Sequence, residues 1–285
     1  MDVTDLNPRR KRLLAELAGA VFAESGGRVQ VNPREIISDL DIGYSYDDFG
    51  ECFDGLIEHR QGEFHIYCNS RTNEYEGSAR ARFTLAHELG HYFIDEHRNL
   101  LAAGKNPHGS STDGQTKFLV EREANYFASN LLMPKAELLK LIGTSRISLQ
   151  SLLDAGSHFG VSAQSAAIRC VQDSQCRSAI VMFRAGKPAW SEISVPLKAS
   201  GFTHLRHFNV APPPGGASSK AWGTTASGLS PIFSNGSTAF TWFSGHFETS
   251  DTNEIITEES VRLGSRGVLT LLTFRTVTSA NSCLN

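Results

Sequence analysis

The residues with the clearest chemical pattern are His87, Glu88 and His91, which together form a His-Glu-x-x-His motif. On a helix, residues four positions apart project from one face on successive turns, so both imidazoles can bind the same metal ion. Two neutral histidines at this spacing suit tetrahedral Zn²⁺. Glu88 then lies beside the ion without binding it, where a metal-dependent hydrolase holds its general base. The motif therefore predicts zinc-dependent hydrolysis.

The surroundings of the motif matter, because a bare His-Glu-x-x-His pattern also arises by chance on protein surfaces. Here the motif is flanked by apolar residues at helical spacing, namely Phe83, Leu85, Ala86, Leu89 and Tyr92. Such a stripe is typical of a helix that is buried on one face. We therefore expect a helix from Ser78 to about Asp95 that carries the motif into the interior.

A catalytic zinc ion takes a third protein ligand, and three residues compete for this position. His97 has the spacing of an extended motif that requires glycine at position 94, where the chain must turn sharply. Ile94 stands there instead, so we expect the helix to continue and to carry His97 away from the metal. The other two candidates, Glu121 and Glu123, lie on a later predicted helix.

Of these candidates we favour Glu121 over Glu123, and either glutamate over His97. The two glutamates point about 200° apart around a helix, so only one of them can face the metal. Asn125 shares a face with Glu121 at i and i+4, so its amide can hydrogen-bond to a metal ligand and orient it. The residues alone therefore favour Glu121 as the third ligand, with Asn125 beside it.

Two further roles remain open at this point. Four side chains are available to stabilise a developing oxyanion, namely Tyr67, His65, His108 and Tyr126. The predicted strand Phe64–Cys68 can pair with an extended substrate if it lies at a sheet edge. An ordinary place inside the sheet is the alternative that we favour for this strand.

The sequence resembles the ImmA/IrrE-type zinc metallopeptidases over about its first 170 residues. The resemblance rests on residues 83–92 (FTLAHELGHY), on the Glu121-x-x-x-Asn125 pair and on residues 128–134 (ASNLLMP). This ordered combination is much more specific than the His-Glu-x-x-His motif alone.

The resemblance implies a zincin-like metallopeptidase in which His87, His91 and Glu121 bind zinc and Glu88 is the general base. Mn²⁺ can take the place of zinc in such a ligand set. The resemblance also implies a substrate class: helix-turn-helix repressors of the XRE family, which are cleaved to derepress stress or mobile-element genes. A non-proteolytic zinc-binding regulator, which binds a repressor or DNA without cutting it, is the alternative function.

The chain is predicted to be an α+β protein with three regions. A zincin-like peptidase domain is expected at residues 1–145, a helix-turn-helix-like segment at 146–175 and a β-rich C-terminal sensor or docking domain at 176–285. IrrE-like proteins carry a GAF-like C-terminal domain, and the resemblance implies one here.

The helix-turn-helix-like segment runs from Ile147 to Val171, with its turn at residues 159–162. A DNA-binding segment needs basic or amide side chains on its second helix to contact bases and phosphates. That helix offers Gln164, Arg169 and Gln172 but no lysine. We therefore expect a helical subdomain that packs on the peptidase domain and does not bind DNA.

The C-terminal region shows β-type runs at residues 179–183, 193–197, 238–243 and 268–274. Its large aromatic residues are expected to form a core, with a ligand pocket as the alternative; they are Trp190, Phe202, Phe208, Trp222, Phe233, Phe240, Trp242, Phe243 and Phe247. His204 and His207 are spaced for metal binding, but no further ligand can be identified, so we expect none there.

Composition excludes several other classes of protein. The chain has 285 residues, a formal net charge of −3 and five scattered cysteines without a Cys-x-x-Cys pair. A strongly basic nucleic-acid-binding protein, a disulfide-rich secreted protein and a cysteine zinc site are all disfavoured. The basic run at residues 9–12 precedes an amphipathic helix that contains Glu16, which disfavours a signal peptide. We therefore expect a cytoplasmic protein without a membrane span.

Overall fold

The structure is a computed structural model that describes residues 6–104, 109–110, 119–143, 147–206, 212–225, 227–244 and 254–274. The chain divides into two compact units. Unit 1 comprises Met1–Glu137 and Gly156–Ser165, and unit 2 comprises Leu138–Ala155 and Ala166–Asn285. The predicted domain boundaries near residues 145 and 175 stay predictions.

The N-terminal part of the chain combines five helices with a small sheet. The helices are α1 (Pro8–Glu24), α2 (Pro33–Asp39), α3 (Ala79–Phe93), α4 (Asp95–Ala102) and α5 (Leu119–Leu132). The strands are β1 (Gly43–Asp47), β2 (Gly55–Arg60), β3 (Glu63–Asn69) and β4 (Gly109–Ser110).

The sheet of unit 1 has the strand order β1-β3-β2-β4. β2 and β3 form the predicted hairpin, and its two-residue turn places Gln61 and Gly62 at φ values of 56° and 89°. Two consecutive residues with positive φ are the conformation of a type I′ turn, whose twist matches that of the strands. β1 runs parallel to β3, which therefore has a hydrogen-bonded neighbour on both sides. Residues 64–68 thus lie inside the sheet, which confirms the favoured interpretation and rules out the alternative that they pair with a substrate strand.

Helix α3, which carries the His-Glu-x-x-His motif, begins where the sequence predicts. Ser78 is its N-cap, and the Ser78 side chain accepts a hydrogen bond from the backbone N–H of Ala81 at 3.1 Å. This bond satisfies one of the N–H groups that a helix start leaves unpaired. The apolar face of α3, including Leu85, Ala86 and Leu89, is buried in a core that it shares with Ile57, Ile66 and other sheet residues.

The end of α3 differs from the prediction. The helix stops at Phe93, because Ile94 takes an extended conformation with φ −78° and ψ 110°. A new helix, α4, starts directly afterwards with Asp95 and Glu96 in its first turn, where negative charge is favourable. The expectation that α3 continues through Ile94 and carries His97 away was therefore wrong. His97 is turned inward and is only 4% exposed.

The remainder of the chain has helices and a second sheet. Its helices are α6 (Lys135–Ile142), α7 (Leu149–Phe159), α8 (Ala163–Asp173), α9 (Val195–Ala199), α10 (Ala217–Trp222) and α11 (Ala239–Trp242), with a 3₁₀ turn at Gly264–Arg266. Its strands are β5 (Ser178–Arg184), β6 (Lys187–Ile193), β7 (Phe233–Thr238), β8 (Ile255–Arg262) and β9 (Val268–Phe274).

The second sheet is antiparallel, with the order β6-β5-β9-β8-β7. The predicted strands at 179–183 and 268–274 are confirmed as β5 and β9, and every residue of β9 is buried. The runs at 193–197 and 238–243 were wrongly predicted as strands, since they lie mainly in the short helices α9 and α11. The sheet buries a core that contains Phe183, Trp242 and Phe243.

The protein is thus a mixed α/β protein, helical in its N-terminal region and rich in β-sheet towards its C-terminus. Two helices joined by a short turn, α7 and α8, occupy the segment predicted as helix-turn-helix-like. The helix-turn-helix and GAF-like assignments stay predictions. Across the described ranges, no helix has the length and apolarity needed to cross a membrane.

Candidate metal centre

Two helices bring three potential metal ligands together. His87 and His91 project from the same face of α3, and Glu121 approaches them from the first turn of α5. The Nε2 atoms of the two histidines lie 3.1 Å apart, and Glu121 Oε2 lies 3.1 Å from His87 Nε2. One ligand atom from each of the three residues lies within 4.8 Å of the other two. All three residues are buried, so the group can hold a metal ion out of contact with bulk solvent.

The close approach of α3 and α5 depends on Gly90. A Cβ atom at Gly90 would lie 3.1 Å from Ala124 Cα and 3.2 Å from Ala124 O, which is tighter than most real Cβ contacts. Glycine at this position therefore lets the backbone of α5 lie against α3. Since Gly90 stands one residue before His91, the same contact brings Glu121 within reach of both histidines.

Asn125 fixes the orientation of one imidazole. It lies one turn after Glu121 on α5, and its Oδ1 lies 3.0 Å from His87 Nδ1. An amide oxygen only accepts hydrogen bonds, so His87 Nδ1 is the donor in this pair. In the neutral ring the proton is then on Nδ1, and Nε2 carries a lone pair directed at the centre. This is the tautomer that a metal ion requires, and fixing it is the usual task of such a partner.

The same arrangement leaves two acceptors facing each other. His87 Nε2 with its lone pair and Glu121 Oε2 both accept hydrogen bonds, yet they lie 3.1 Å apart in a buried site. Such a contact is favourable only when a cation, either a proton or a metal ion, lies between the two atoms. The residues that are present therefore fit a metal ion.

The ionisation of the cluster points in the same direction. Burial lowers the pKa of His87, but the hydrogen bond to Glu121 and the charge of Glu88 outweigh it, so the pKa is raised overall. Burial lowers the pKa of His91 to about 4, so this imidazole is neutral near pH 7. Burial opposes ionisation of Glu121, but hydrogen bonds from His91 and from the protonated form of His87 hold its pKa well below the usual range. The cluster thus favours a cation, either a proton or a metal ion, beside the carboxylate of Glu121.

Glu88 is separate from this group of ligands. Its side chain is completely buried, and its charge raises the pKa of the neighbouring imidazole of His87. The carboxylate also acts on Cys68 of β3, whose thiol pKa is raised to about 12 by burial first and by Glu88 second. Glu88 therefore lies beside the three ligands on the side of the sheet, and its role as general base stays a prediction.

The two other candidate ligands form a network of their own. Glu123 accepts hydrogen bonds from Arg10 of α1, with 2.8 Å between Arg10 Nε and Glu123 Oε1. Glu123 Oε2 also lies 3.2 Å from Nε2 of His97. Arg10 reaches Glu96 as well, at 3.1 Å. Because its negative charge is already neutralised by a guanidinium, Glu123 is not available to a metal ion.

Comparison with known proteins agrees with this geometry. Residues 71–171 match the peptidase family model described as the IrrE N-terminal-like domain. The protein contains an IrrE N-terminal-like domain. This domain includes the whole His87, His91 and Glu121 group together with Glu88 and Asn125. Arg10, by contrast, lies outside it, although its contacts reach Glu123 inside the domain.

A solved structure has a similar fold over most of the chain. It is a Mycobacterium tuberculosis transcriptional regulator with a TM-score of 0.56 and 15% sequence identity, and the match covers 95% of this chain and 93% of that chain. Among curated proteins, none matches this chain.

Two of the four candidates for stabilising an oxyanion, His65 and Tyr67, have partners away from the metal centre. Side chains alternate along β3, and Ile66 and Cys68 face the core shared with α3, so His65 and Tyr67 face away from it. Nε2 of His65 lies 2.9 Å from Ser45 Oγ, and the Tyr67 hydroxyl donates to Glu58 at 2.7 Å. Tyr126 packs against the apolar core, and His108 lies outside the described residues.

Two residues of the helix-turn-helix-like segment that were candidates for DNA contact, Arg169 and Gln172, have partners within the protein. Arg169 is only 3% exposed and forms an ion pair with Asp173 at 2.8 Å. Gln172 donates to Glu192 at 3.1 Å. Of the spaced histidine pair, Nδ1 of His204 lies 2.8 Å from the Thr203 hydroxyl, and position 207 lies outside the described residues.

Two contributors to the site were missed from the sequence. Gly90 had a readable signal, because an isolated glycine inside a helical pattern often marks close packing of backbones. Arg10 had none, since it lies within a run of four basic residues and its partner Glu123 is 113 residues away. Only the folded chain distinguishes Arg10 from its neighbours.

Proposed function

We propose that the protein is a zinc-dependent endopeptidase that cleaves a helix-turn-helix repressor of the XRE family, and thereby derepresses stress or mobile-element genes. The single observation that carries the peptidase part is the buried group of His87, His91 and Glu121 with Glu88 beside it. The match of residues 71–171 to a peptidase family model supports the same chemistry. The resemblance to ImmA/IrrE-type enzymes supports the choice of substrate.

In this proposal His87, His91 and Glu121 hold the ion, and Asn125 keeps His87 in the required tautomer. Zinc bound in this way supplies a Lewis acid that activates water and polarises a peptide carbonyl. Glu88 accepts the proton of the attacking water on its carboxylate and then donates it to the leaving amine. Burial of the cluster strengthens each of these electrostatic interactions, because the surrounding dielectric constant is low.

The proposal is tested with purified protein, one equivalent of Zn²⁺ and an XRE-family repressor from the same organism. We expect the repressor to be cut into two fragments that intact-mass spectrometry identifies, and we expect Glu88→Gln to abolish the cut while zinc binding is retained. Glu16→Gln is the matched control, since this glutamate is exposed on α1 and far along the chain from the cluster. Cleavage by Glu88→Gln at the wild-type rate contradicts the proposal.

The same experiment separates the peptidase from a zinc-binding regulator. If the wild-type protein with zinc associates with the repressor but leaves it intact, the protein is a non-proteolytic regulator and the proposal is wrong. An assay in which EDTA stops cleavage and added zinc restores it supports the peptidase. Because Mn²⁺ can occupy the same ligands, the restoration is compared for both metals.

We infer further roles for the rest of the chain within this proposal. The protein acts in the cytoplasm, where transcriptional repressors are found. The helical segment at 146–175 helps to dock the repressor, and the β-rich C-terminal region, as a sensor of GAF-like type, responds to a signal. A truncated protein that ends before the second sheet is expected to lose regulation of cleavage, which a comparison of cleavage with and without stress extracts would detect.

A further inference from the structure

The carboxylate of Glu88 rests against a glycine of the sheet. Gly55 is the first residue of β2, and a Cβ atom placed there would lie 2.7 Å from Glu88 Oε1 and 3.3 Å from Glu88 Cγ. It would also collide with the Cγ2 methyl group of Thr84. Gly55 does not have a positive φ, so the backbone conformation at this position does not itself require glycine. Glycine is needed at position 55 because any side chain there would occupy the space that the Glu88 carboxylate fills.

A buried hydrogen-bond chain holds this glycine in register with α3. Asn73 is fully buried, and its Nδ2 donates to the backbone oxygen of Asp54 at 2.8 Å. The hydroxyl of Thr84 donates to Asn73 Oδ1, also at 2.8 Å. Asp54 immediately precedes Gly55, and Thr84 lies one helical turn before Glu88 on the same face. The chain therefore links the two backbone segments between which the carboxylate lies.

An ion pair adds a second link between the same two segments. Arg80, in the first turn of α3, contacts the carboxylate of Asp54 at 2.9 Å. Asp54 is 6% exposed, so this pair is partly shielded from solvent. Two connections thus join α3 to the residue before Gly55, which fixes the distance between that glycine and the helix.

We propose that Gly55, Asn73 and Thr84 are positioning residues for Glu88: Gly55 provides the surface on which the carboxylate rests, and Asn73 and Thr84 fix that surface relative to α3. The inference rests on the proposed function of Glu88 as the proton acceptor. None of the three residues belongs to the metal-binding group, so their effect is on proton transfer and not on metal affinity.

The key variant is Gly55→Ala combined with Thr84→Ser. Serine at position 84 lacks the methyl group that would collide with an alanine at position 55, but it keeps the hydroxyl that donates to Asn73. In the double variant, the new Cβ atom at position 55 therefore collides only with Glu88. We expect kcat for repressor cleavage to fall about 100-fold, the loss expected for a misplacement of about 1 Å, with KM and zinc affinity unchanged. Thr84→Ser alone is expected to cleave at nearly the wild-type rate.

Two further variants separate positioning from general damage. Thr84→Val keeps the shape of the side chain but removes the hydroxyl, so we expect a kcat loss that Thr84→Ser does not show. Gly19→Ala is the matched glycine control, because a Cβ atom at Gly19 would meet nothing within 4 Å. If the Gly55→Ala, Thr84→Ser double variant binds zinc and keeps the wild-type kcat, the inference is overturned.

A second measurement does not depend on activity. The shift in urea midpoint caused by Gly55→Ala is measured in the Thr84→Ser background and again in Thr84→Ser with Glu88→Ala. In the background that contains Glu88→Ala, the alanine at position 55 has no carboxylate to displace. We therefore expect the shift in urea midpoint there to be less than about half of the shift in the Thr84→Ser background. An equal shift in both backgrounds overturns the inference even if the protein is an active peptidase. A reduced shift supports it even if the wild-type protein cleaves no repressor, in which case the proposed function alone fails.

Discussion

Both units of the molecule contain buried glutamates, and Glu258 of unit 2 differs from Glu121 of unit 1 in the hydrogen-bond donors that surround its carboxylate. In unit 2, Glu258 is 1% exposed and accepts a hydrogen bond from the backbone N–H of Ser218 at 2.6 Å. Gly216 makes room for it, since a Cβ atom there would lie 2.6 Å from Glu258 Oε2. In unit 1, Glu121 is 5% exposed and contacts two imidazoles, one of which presents a lone pair. The carboxylate of Glu258 thus accepts a hydrogen bond from a backbone N–H group, whereas the contact between Glu121 and His87 is favourable only with a proton or a metal ion between them.

Helix α5 carries a similar pair of buried glutamates, Glu121 and Glu123, whose charges have different partners. Glu123 is held by the guanidinium of Arg10 and by His97, so its charge is neutralised inside the protein. Within the described part of unit 1, Glu121 is paired with two imidazoles and with no arginine or lysine, so only a proton on an imidazole or a metal ion can offset its charge. A buried charge without compensation is strongly unfavourable. The comparison of the two glutamates shows how a candidate metal ligand can be recognised: it is a buried carboxylate whose charge no arginine or lysine neutralises.

The largest effect is expected from replacing Glu121, the carboxylate of the candidate metal centre. Glu121→Gln should lower zinc affinity by more than the factor of about 10–100 that is usual for residues that only orient a ligand. At a pH high enough to leave both imidazoles neutral, the metal-free variant should be no less stable than the wild type, because the substitution removes a buried charge that no proton then offsets. Zinc competition with a chromophoric chelator and urea unfolding measure the two quantities.

The matched control is the same substitution in the other unit. Glu258→Gln should leave zinc affinity unchanged and should lower the free energy of unfolding by about 1–3 kcal/mol, because a buried acceptor is altered. If Glu121→Gln destabilises the metal-free protein as Glu258→Gln does, the contrast between the two glutamates is broken.

The next largest effect concerns the compensated carboxylate on α5. Arg10→Ala leaves Glu123 buried without its cation and should cost about 3 kcal/mol of unfolding free energy, near the lower end for a buried pair because Arg10 is 23% exposed. Arg12→Ala is the control, since Arg12 is 71% exposed and should change the stability by less than about 0.5 kcal/mol. Thermal and urea unfolding of the metal-free proteins test this, and equal stabilities for the two variants would contradict it.

A smaller effect is expected from the residue that orients His87. Asn125→Ala removes the acceptor for Nδ1, so zinc affinity should fall about 10–100-fold while the fold is retained. Asn125→Asp keeps an acceptor at the same place and should lose less. The zinc affinities of the two variants are measured at the same pH. If Asn125→Ala binds zinc as tightly as the wild type, His87 does not need Asn125 to orient it.

The smallest effect is a dependence on pH. The pKa of His87 is raised above its ordinary value, so its proton stabilises the metal-free protein below the pKa of the unfolded chain, and this stabilisation is lost as pH rises through the folded-state pKa. Zinc must displace the same proton. The zinc-induced rise in Tm should therefore be greater at pH 8 than at pH 6. Equal rises at the two pH values would mean that no proton occupies the site.

Much of the candidate metal centre could be predicted from the sequence, because local spacing determines it. The i, i+4 spacing that puts His87 and His91 on one face is a property of the helix itself, as is the shared face of Glu121 and Asn125. The predicted hairpin follows in the same way from its turn residues. These features need no knowledge of distant parts of the chain.

Other features were not predicted, in part because they depend on burial and in part because a local signal was overlooked or masked. The break at Ile94 is set up by Asp95 and Glu96, whose charges favour a new helix start, and by the burial of His97. The run at 193–197 carried an overlooked signal, since Ser194 followed by Pro196 is typical of a helix N-terminus. Strand β8 was missed, because its charged residues mask an alternating pattern of burial.

The most direct test of the metal centre is zinc K-edge X-ray absorption of the protein loaded with one equivalent of Zn²⁺. We expect two histidine nitrogens at about 2.0–2.1 Å, further oxygen ligands at about 2.0–2.2 Å and no sulfur. The same measurement on Glu121→Gln should lose the carboxylate ligand. A protein that retains no zinc after dialysis, or a spectrum with sulfur at about 2.3 Å, would contradict a centre formed by His87, His91 and Glu121.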